Sequence, residues 1–208
     1  MVPMVRKTAG RRSTGTAVPR IRLAVVLAAA LLAVPGCTAD QPSDDPDRAA
    51  EPALRLETVH TAGEVDAETR TAVETEIGDV LSRYVVRAFL GDYPRQDFVR
   101  SFDDFTPLTA RNGARDIEVL TGAGLADAAS VRASALGADL SLLAPEGSVV
   151  GAAAEVDFRF LMTTGESGPT TVTLSGRMDL VVEDGTWSVF GYKVTLADGG
   201  PLEAAVSS

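Results

Sequence analysis

The sequence predicts an α+β domain: N-terminal helices packed on a curved antiparallel sheet of about four strands. Three observations predict it. Between residues 66 and 90, apolar residues recur at helical spacing. From about residue 149 the period changes to two. Turn signals then separate the alternating runs at hairpin spacing. Helices first and strands afterwards place the helices on one face of an antiparallel meander.

The first helix is expected from about Asp66 to Leu90. Val73, Ile77, Val80, Leu81, Tyr84 and Ala88 form one apolar stripe, with Glu74, Asp79, Arg83 and Arg87 around it. Asp66 is the expected N-cap, Gly91 the expected left-handed stop, and Pro94 forbids continuation. A short second helix is expected from about Arg95 to Asp104, with Phe98, Phe102 and Phe105 at i, i+4 and i+7. Thr106-Pro107 reads as N-cap and first residue of a third helix. That helix runs to about Leu120, interrupted by Gly113 and ended by Gly122 and Gly124.

A less regular strand is expected over Ala133–Leu143. In 149–162 the apolar residues Val150 to Met162 occupy the even positions, while Glu155, Asp157 and Arg159 are odd. In 170–182, Val172, Leu174, Met178, Leu180 and Val182 alternate with polar residues. Glu166-Ser167-Gly168-Pro169 is a turn between these strands. Asp184-Gly185 signals a hairpin into a last strand, Thr186–Leu196.

Ahead of this domain the composition is different. The first 22 residues carry Arg6, Lys7, Arg11, Arg12, Arg20 and Arg22 and no acid. Leu23–Val34 is a run of twelve uncharged residues, too short for the about 20 that cross a bilayer. Val34-Pro35-Gly36-Cys37 follows, and Cys37 is the only cysteine. This layout resembles a bacterial lipoprotein signal peptide. The resemblance implies cleavage between Gly36 and Cys37, lipidation of Cys37 with diacylglycerol and palmitate, and residence on the extracytoplasmic face of the cell membrane. Arg11-Arg12 lacks the apolar residues that would follow a twin-arginine pair. Residues 1–36 are thus read as signal peptide, and 37–63 as a disordered acidic tether rich in Asp and Pro. A single domain spans 64–198, and 199–208 is a C-terminal tail.

All 29 acidic residues follow Cys37, as do 13 of the 19 basic ones, a net charge of −16 for residues 37–208. That balance argues against nucleic acid and against unaided binding to anionic headgroups. Attachment to the membrane then falls to lipid on Cys37. A lone cysteine excludes an intramolecular disulfide.

The helices-then-meander order resembles the cone-shaped nuclear-transport-factor-2-like superfamily over about residues 65–196. Gly185-Thr186-Trp187-Ser188-Val189 resembles its closing Gly-x-Trp-x-Val strand. Phe105-Thr106-Pro107, Asp116 to Thr121 and Trp187 to Tyr192 are similar to actinobacterial lipoproteins within it, with Mce-associated (and SnoaL-type) proteins as a neighbouring group. The superfamily includes isomerases, dehydratases, binding modules and assembly parts, so function rests on the site.

Catalysis in such a cone needs a carboxylate or histidine in an apolar pocket. The lone histidine, His60, precedes the first helix and reads as solvent-exposed. No zinc site can be assembled from one His and one Cys, and no metal or cofactor is expected. Asp97, Asp103 and Asp104 are the candidate bases, and equally the polar face of an amphipathic helix. No catalytic residue is assigned. Tyr84, Phe98, Phe102, Phe158, Phe160, Met162, Met178 and Trp187 either line a ligand cavity or fill a core. The favoured function is a non-catalytic, membrane-anchored domain that binds a hydrophobic molecule or docks on an envelope protein. The alternative is a small isomerase- or dehydratase-like enzyme. An acid pointing into a sealed apolar cavity discriminates the two.

Overall fold

The computed structural model describes residues 52–165 and 168–201. The signal segment, Cys37, the tether up to residue 51 and residues 202–208 lie outside the described residues, as do Glu166 and Ser167 of the expected turn.

The domain is α+β, with a mixed, unclosed sheet of six strands and three helices. It opens with β1 (Arg55–Gly63), followed by α1 (Ala67–Ala88) and the two-residue β2 (Gly91–Asp92). Two short helices follow, α2 (Pro107–Gly113) and α3 (Ile117–Leu120). Four long strands complete it: β3 (Ala128–Ala144), β4 (Gly151–Thr164), β5 (Thr170–Glu183) and β6 (Thr186–Pro201). The sheet order is β1-β3-β4-β5-β6, with β2 pairing the early part of β3.

The antiparallel meander β3 to β6 follows the expected order. Two strands add to it. Sequence reasoning assigned residues to 63 to the tether, whereas Arg55–Gly63 is an edge strand parallel to β3. Its pairing partner lies 82 residues ahead, Arg55 against Gly137, and only Leu56, Thr58 and Thr61 turn half inward. An edge strand with one wet face carries little apolar signal. The sheet is therefore mixed, not purely antiparallel. At the other end β6 runs to Pro201, into the stretch expected to be tail.

α1 starts where the sequence placed its cap. Asp66 Oδ1 accepts from the Thr69 amide at 2.9 Å and Oδ2 from the Thr69 hydroxyl at 2.7 Å. The amide bond holds the Asp66 carboxyl below its usual range. The expected second helix shrinks to one 3₁₀ turn, Val99–Phe102. Arg95 accounts for much of this, because its guanidinium donates to the Arg87 and Leu90 carbonyls at 2.7 Å and pins the chain to the end of α1. Phe98, Phe102 and Phe105 are buried all the same. The third helix breaks after Gly113, where a Cβ would come within 2.8 Å of the Phe102 ring.

One core joins the helices to the sheet. Ile77, Leu81, Tyr84 and Val85 of α1 meet the even residues Ala154, Val156, Phe158 and Phe160 of β4 and Val172, Leu174, Met178 and Leu180 of β5. The odd residues of β4 and β5 form the opposite face, which no helix of the described residues covers. Gly176 has φ 130°, and a Cβ there would lie 2.3 Å from the Lys193 carbonyl oxygen. β6 leaves no room for a side chain at this point of β5, so the position needs glycine.

Candidate functional site

The eight aromatic and sulfur residues singled out above stand in or against the helix–sheet core. Tyr84, Phe158, Phe160 and Met178 are fully buried, and Phe98, Phe102 and Trp187 nearly so. Met162 is half-buried and packs against the core. Phe89, not singled out from sequence, stacks on Phe160 with centroids 4.6 Å apart. It also meets Tyr84 edge-on at 6.2 Å. Phe105 lies 5.5 Å from Tyr84 and 5.3 Å from Phe102. Phe98 sits outside the main cluster, under the Arg95 guanidinium at 5.3 Å and beside Tyr93. None of the eight borders the clefts described below.

Tyr84 and Trp187 each carry a polar atom among these rings, and both are satisfied, the Trp187 indole by Glu76 at 2.9 Å. Tyr84 Oη donates to the Leu120 carbonyl at 2.6 Å. Burial pushes its phenol well above the usual range. No carboxylate reaches it.

The three candidate aspartates lie elsewhere. Asp97 pairs with Arg100 at 3.6 Å, both well exposed. Asp103 is exposed and reaches Arg87 at 3.5 Å. Asp104 is the most sheltered, its side chain 17% exposed, and it is fully engaged with two α1 arginines. Arg83 Nη2 donates to Oδ1 at 2.9 Å, Arg83 Nε to both oxygens at 3.2 Å, and Arg87 Nη1 to Oδ2 at 3.2 Å. The bond to Asp104 raises the Arg83 guanidinium further above its ordinary value. Arg83 and Arg87 are one helical turn apart, so both reach the same carboxylate. This clamp joins α1 to the loop before α2 and was not visible in sequence, since Asp104 lies 21 residues from Arg83.

His60 is exposed on β1 and pairs in register with Ser141. Among the described residues no group of three or more His, Cys, Asp or Glu is arranged to hold a metal ion.

Among the clefts on the surface of the described residues are four shallow ones. One of about 440 Å³ lies between β1 and α1, over Leu54, Leu56 and Gly78. One of about 480 Å³ lies between α2 and β6, lined by Asn112, Arg115, Asp116, Phe190 and Tyr192. In it Tyr192 Oη donates to Asp116 Oδ2 at 2.7 Å. Desolvation first, and that bond second, push the Tyr192 phenol up to about 12. Thr109 Oγ1 donates to the Phe190 carbonyl at 2.7 Å, at the bulge where β6 loses register between Asp179 and Leu180.

The other two clefts open on the uncovered face of the sheet. One, about 440 Å³, is centred on Gly137 and Ala135 and rimmed by Asp139, Glu155, Asp157 and Arg159. The second, about 290 Å³, has a floor of Ala62, Gly151 and Ala153 between Leu143 and Phe190. Leu143 is 53% exposed and Phe190 52%. Two large apolar side chains stand over a floor of small ones, on a face that exposes both charge signs. Alternation foretold that Asp157 and Arg159 face away from the core; the pairing across five strands that assembles these clefts was not legible. No family model, curated protein or solved structure matches this chain.

Proposed function

We propose that this chain is a lipoprotein held on the extracytoplasmic face of the membrane through Cys37, and that its domain is a non-catalytic docking module for an envelope protein. The single observation that carries the docking reading is the use made of the interior aromatic residues. Tyr84 meets Phe89 edge-on and Phe105 at a tilt, and Phe89 stacks on Phe160, so these rings pack against one another. A hydrophobic ligand would have to displace side chains packed at core density. An acid–base enzyme would need a carboxylate among those rings, and Asp97, Asp103 and Asp104 are each committed to surface arginines. What remains for recognition is surface. The same reading takes the architecture as nuclear-transport-factor-2-like, supported by helices on one face of a meander that ends in the Asp184-Gly185 hairpin. No helix of the described residues is long and apolar enough to cross a membrane.

Two measurements test this. Metabolic labelling with a palmitate analogue is expected to mark the wild type and not Cys37→Ser, which also leaves the membrane fraction. Equal labelling of both, or of neither, overturns the anchor. Titration with a fluorescent fatty acid is expected to give no saturable one-to-one binding. Stoichiometric binding that Phe160→Trp abolishes would return the ligand-binding reading to first place.

A further inference from the structure

We infer that the uncovered face of the sheet pairs with the same face of a second copy of this chain, about a two-fold axis parallel to the strands and running between β4 and β5. This goes beyond the docking reading and does not depend on it.

The inference starts from the register, which lines up outward-facing residues across the sheet. One such row reads Glu57, Asp139, Glu155, Arg177, Lys193 from β1 to β6. Its three carboxylates lie on one side and its two cations on the other. A surface divided in this way is complementary to itself when turned over. The stated axis brings β4 over β5 of the second copy and β3 over its β6. Glu155 then faces Arg177 of the second copy, and Asp139 faces its Lys193.

The neighbouring rows agree in size. The row through Leu143 reads Leu143, Gly151, Val181, Ser188. The same axis sets Leu143 against Ser188 of the second copy and Gly151 against its Val181, large against small in both cases. The row through Ser141 sets Ser141 against Gly191. The row through Gly137 sets Gly137 against Thr195. Sheets pack face to face about 10 Å apart when side chains interdigitate in this way. The two clefts of this face, over Gly137 and over Ala153, are the hollows that a facing sheet would fill.

The axis also keeps the strand direction. Both copies of Arg55 therefore emerge at the same end of the pair, an arrangement that suits the proposed Cys37 anchor without resting on it. Four strands at about 4.8 Å spacing and nine residues at about 3.3 Å give roughly 600 Å² per copy. The total of about 1,200 Å² is the lower bound of specific interfaces, so association is expected to be weak and reversible.

Asp139 and Lys193 supply the test. Both are exposed. Two strands lie between β3 and β6, so the pair is about 14 Å apart within one copy and cannot meet there. Sedimentation equilibrium of the full chain, in detergent density-matched to the solvent, is expected to show a monomer–dimer equilibrium. Lys193→Glu is expected to weaken it by about tenfold or more. Lys193→Glu combined with Asp139→Lys is expected to restore it, with unchanged circular dichroism throughout. A wild type that stays monomeric at every concentration overturns the inference. So does a dimer that Lys193→Glu leaves intact, or a loss that Asp139→Lys fails to repair.

Discussion

Trp187 Nε1 donates to Glu76 Oε2 at 2.9 Å, which ties the last strand of the sheet to the first helix across 111 residues. The indole is 5% exposed, and it is the only tryptophan of the chain. Its emission therefore reports this one junction. Trp187→Ala is expected to cost about 3–5 kcal/mol in denaturant unfolding, the usual range for deleting a large buried aromatic. Trp187→Phe keeps most of the apolar volume and lets the exposed Glu76 return to water, so about 1 kcal/mol is expected. A red-shifted native emission, quenched as readily as free tryptophan by acrylamide, would contradict the burial.

Asp103 and Asp104 are adjacent and differ in use. Asp104 takes bonds from both Arg83 and Arg87, and Asp103 makes one longer contact in the open. Asp104→Ala is expected to lower stability by about 1 kcal/mol, and Asp103→Ala by a few tenths. Raising the salt concentration should shrink the first loss. Equal losses for the two variants would show that the clamp carries no more than a surface pair.

The three tyrosines all titrate late. Burial raises Tyr84 and Tyr93, and desolvation with the Asp116 bond raises Tyr192 to about 12. A phenol whose folded pKa exceeds its unfolded value near 10 stabilises the fold fully below pH 10. That stability is lost as pH climbs through the folded value. Absorbance of tyrosinate is therefore expected to stay flat through pH 10 and to rise between about pH 10 and 12, together with loss of secondary structure. One full tyrosinate equivalent at pH 10 in a protein with native circular dichroism would refute the prediction.

β1 is expected to belong to the folded unit. A chain beginning at Pro52 should unfold cooperatively with wild-type stability. One beginning at Glu64 lacks the whole strand, strips Leu56 from beside Gly78 of α1 and leaves the β3 edge unpaired. It should be markedly less stable and prone to self-association. Thermal unfolding of the two truncations decides the matter; equal midpoints would return residues 55–63 to the tether.

What sequence could reveal followed from the range of the interactions. α1, its Asp66 cap and the Thr106-Pro107 start of α2 are local, and each was readable within a few residues. The even positions of β4 announced its buried face because that one face packs in the core shared with α1 while the other is left uncovered. β1 was missed because its partner is distant and its apolar content slight. The 95–104 helix was over-read because the spacing of Phe98, Phe102 and Phe105 reports burial, and a 3₁₀ turn with a loop buries the same three rings. The outer clefts, and the row from Glu57 to Lys193, exist only once five strands are in register, so no single segment encodes them. Sequence leaves core and cavity open for the interior aromatic residues, since composition does not distinguish rings that touch, as Phe89 and Phe160 do, from rings that surround a space.

The parallel pairing of β1 with β3 also sets an order of assembly. α1 and the hairpins from β3 to β6 close over short stretches of chain, whereas Arg55 must wait for Gly137, 82 residues later in synthesis. Among the strand pairings of the sheet it closes the longest stretch of chain, so loop-closure entropy makes it the last of them to form and the first to open. The segment nearest Cys37 is then the last sealed. Amide protection along β1 would be the lowest of the long strands, so the domain would come undone from its first strand.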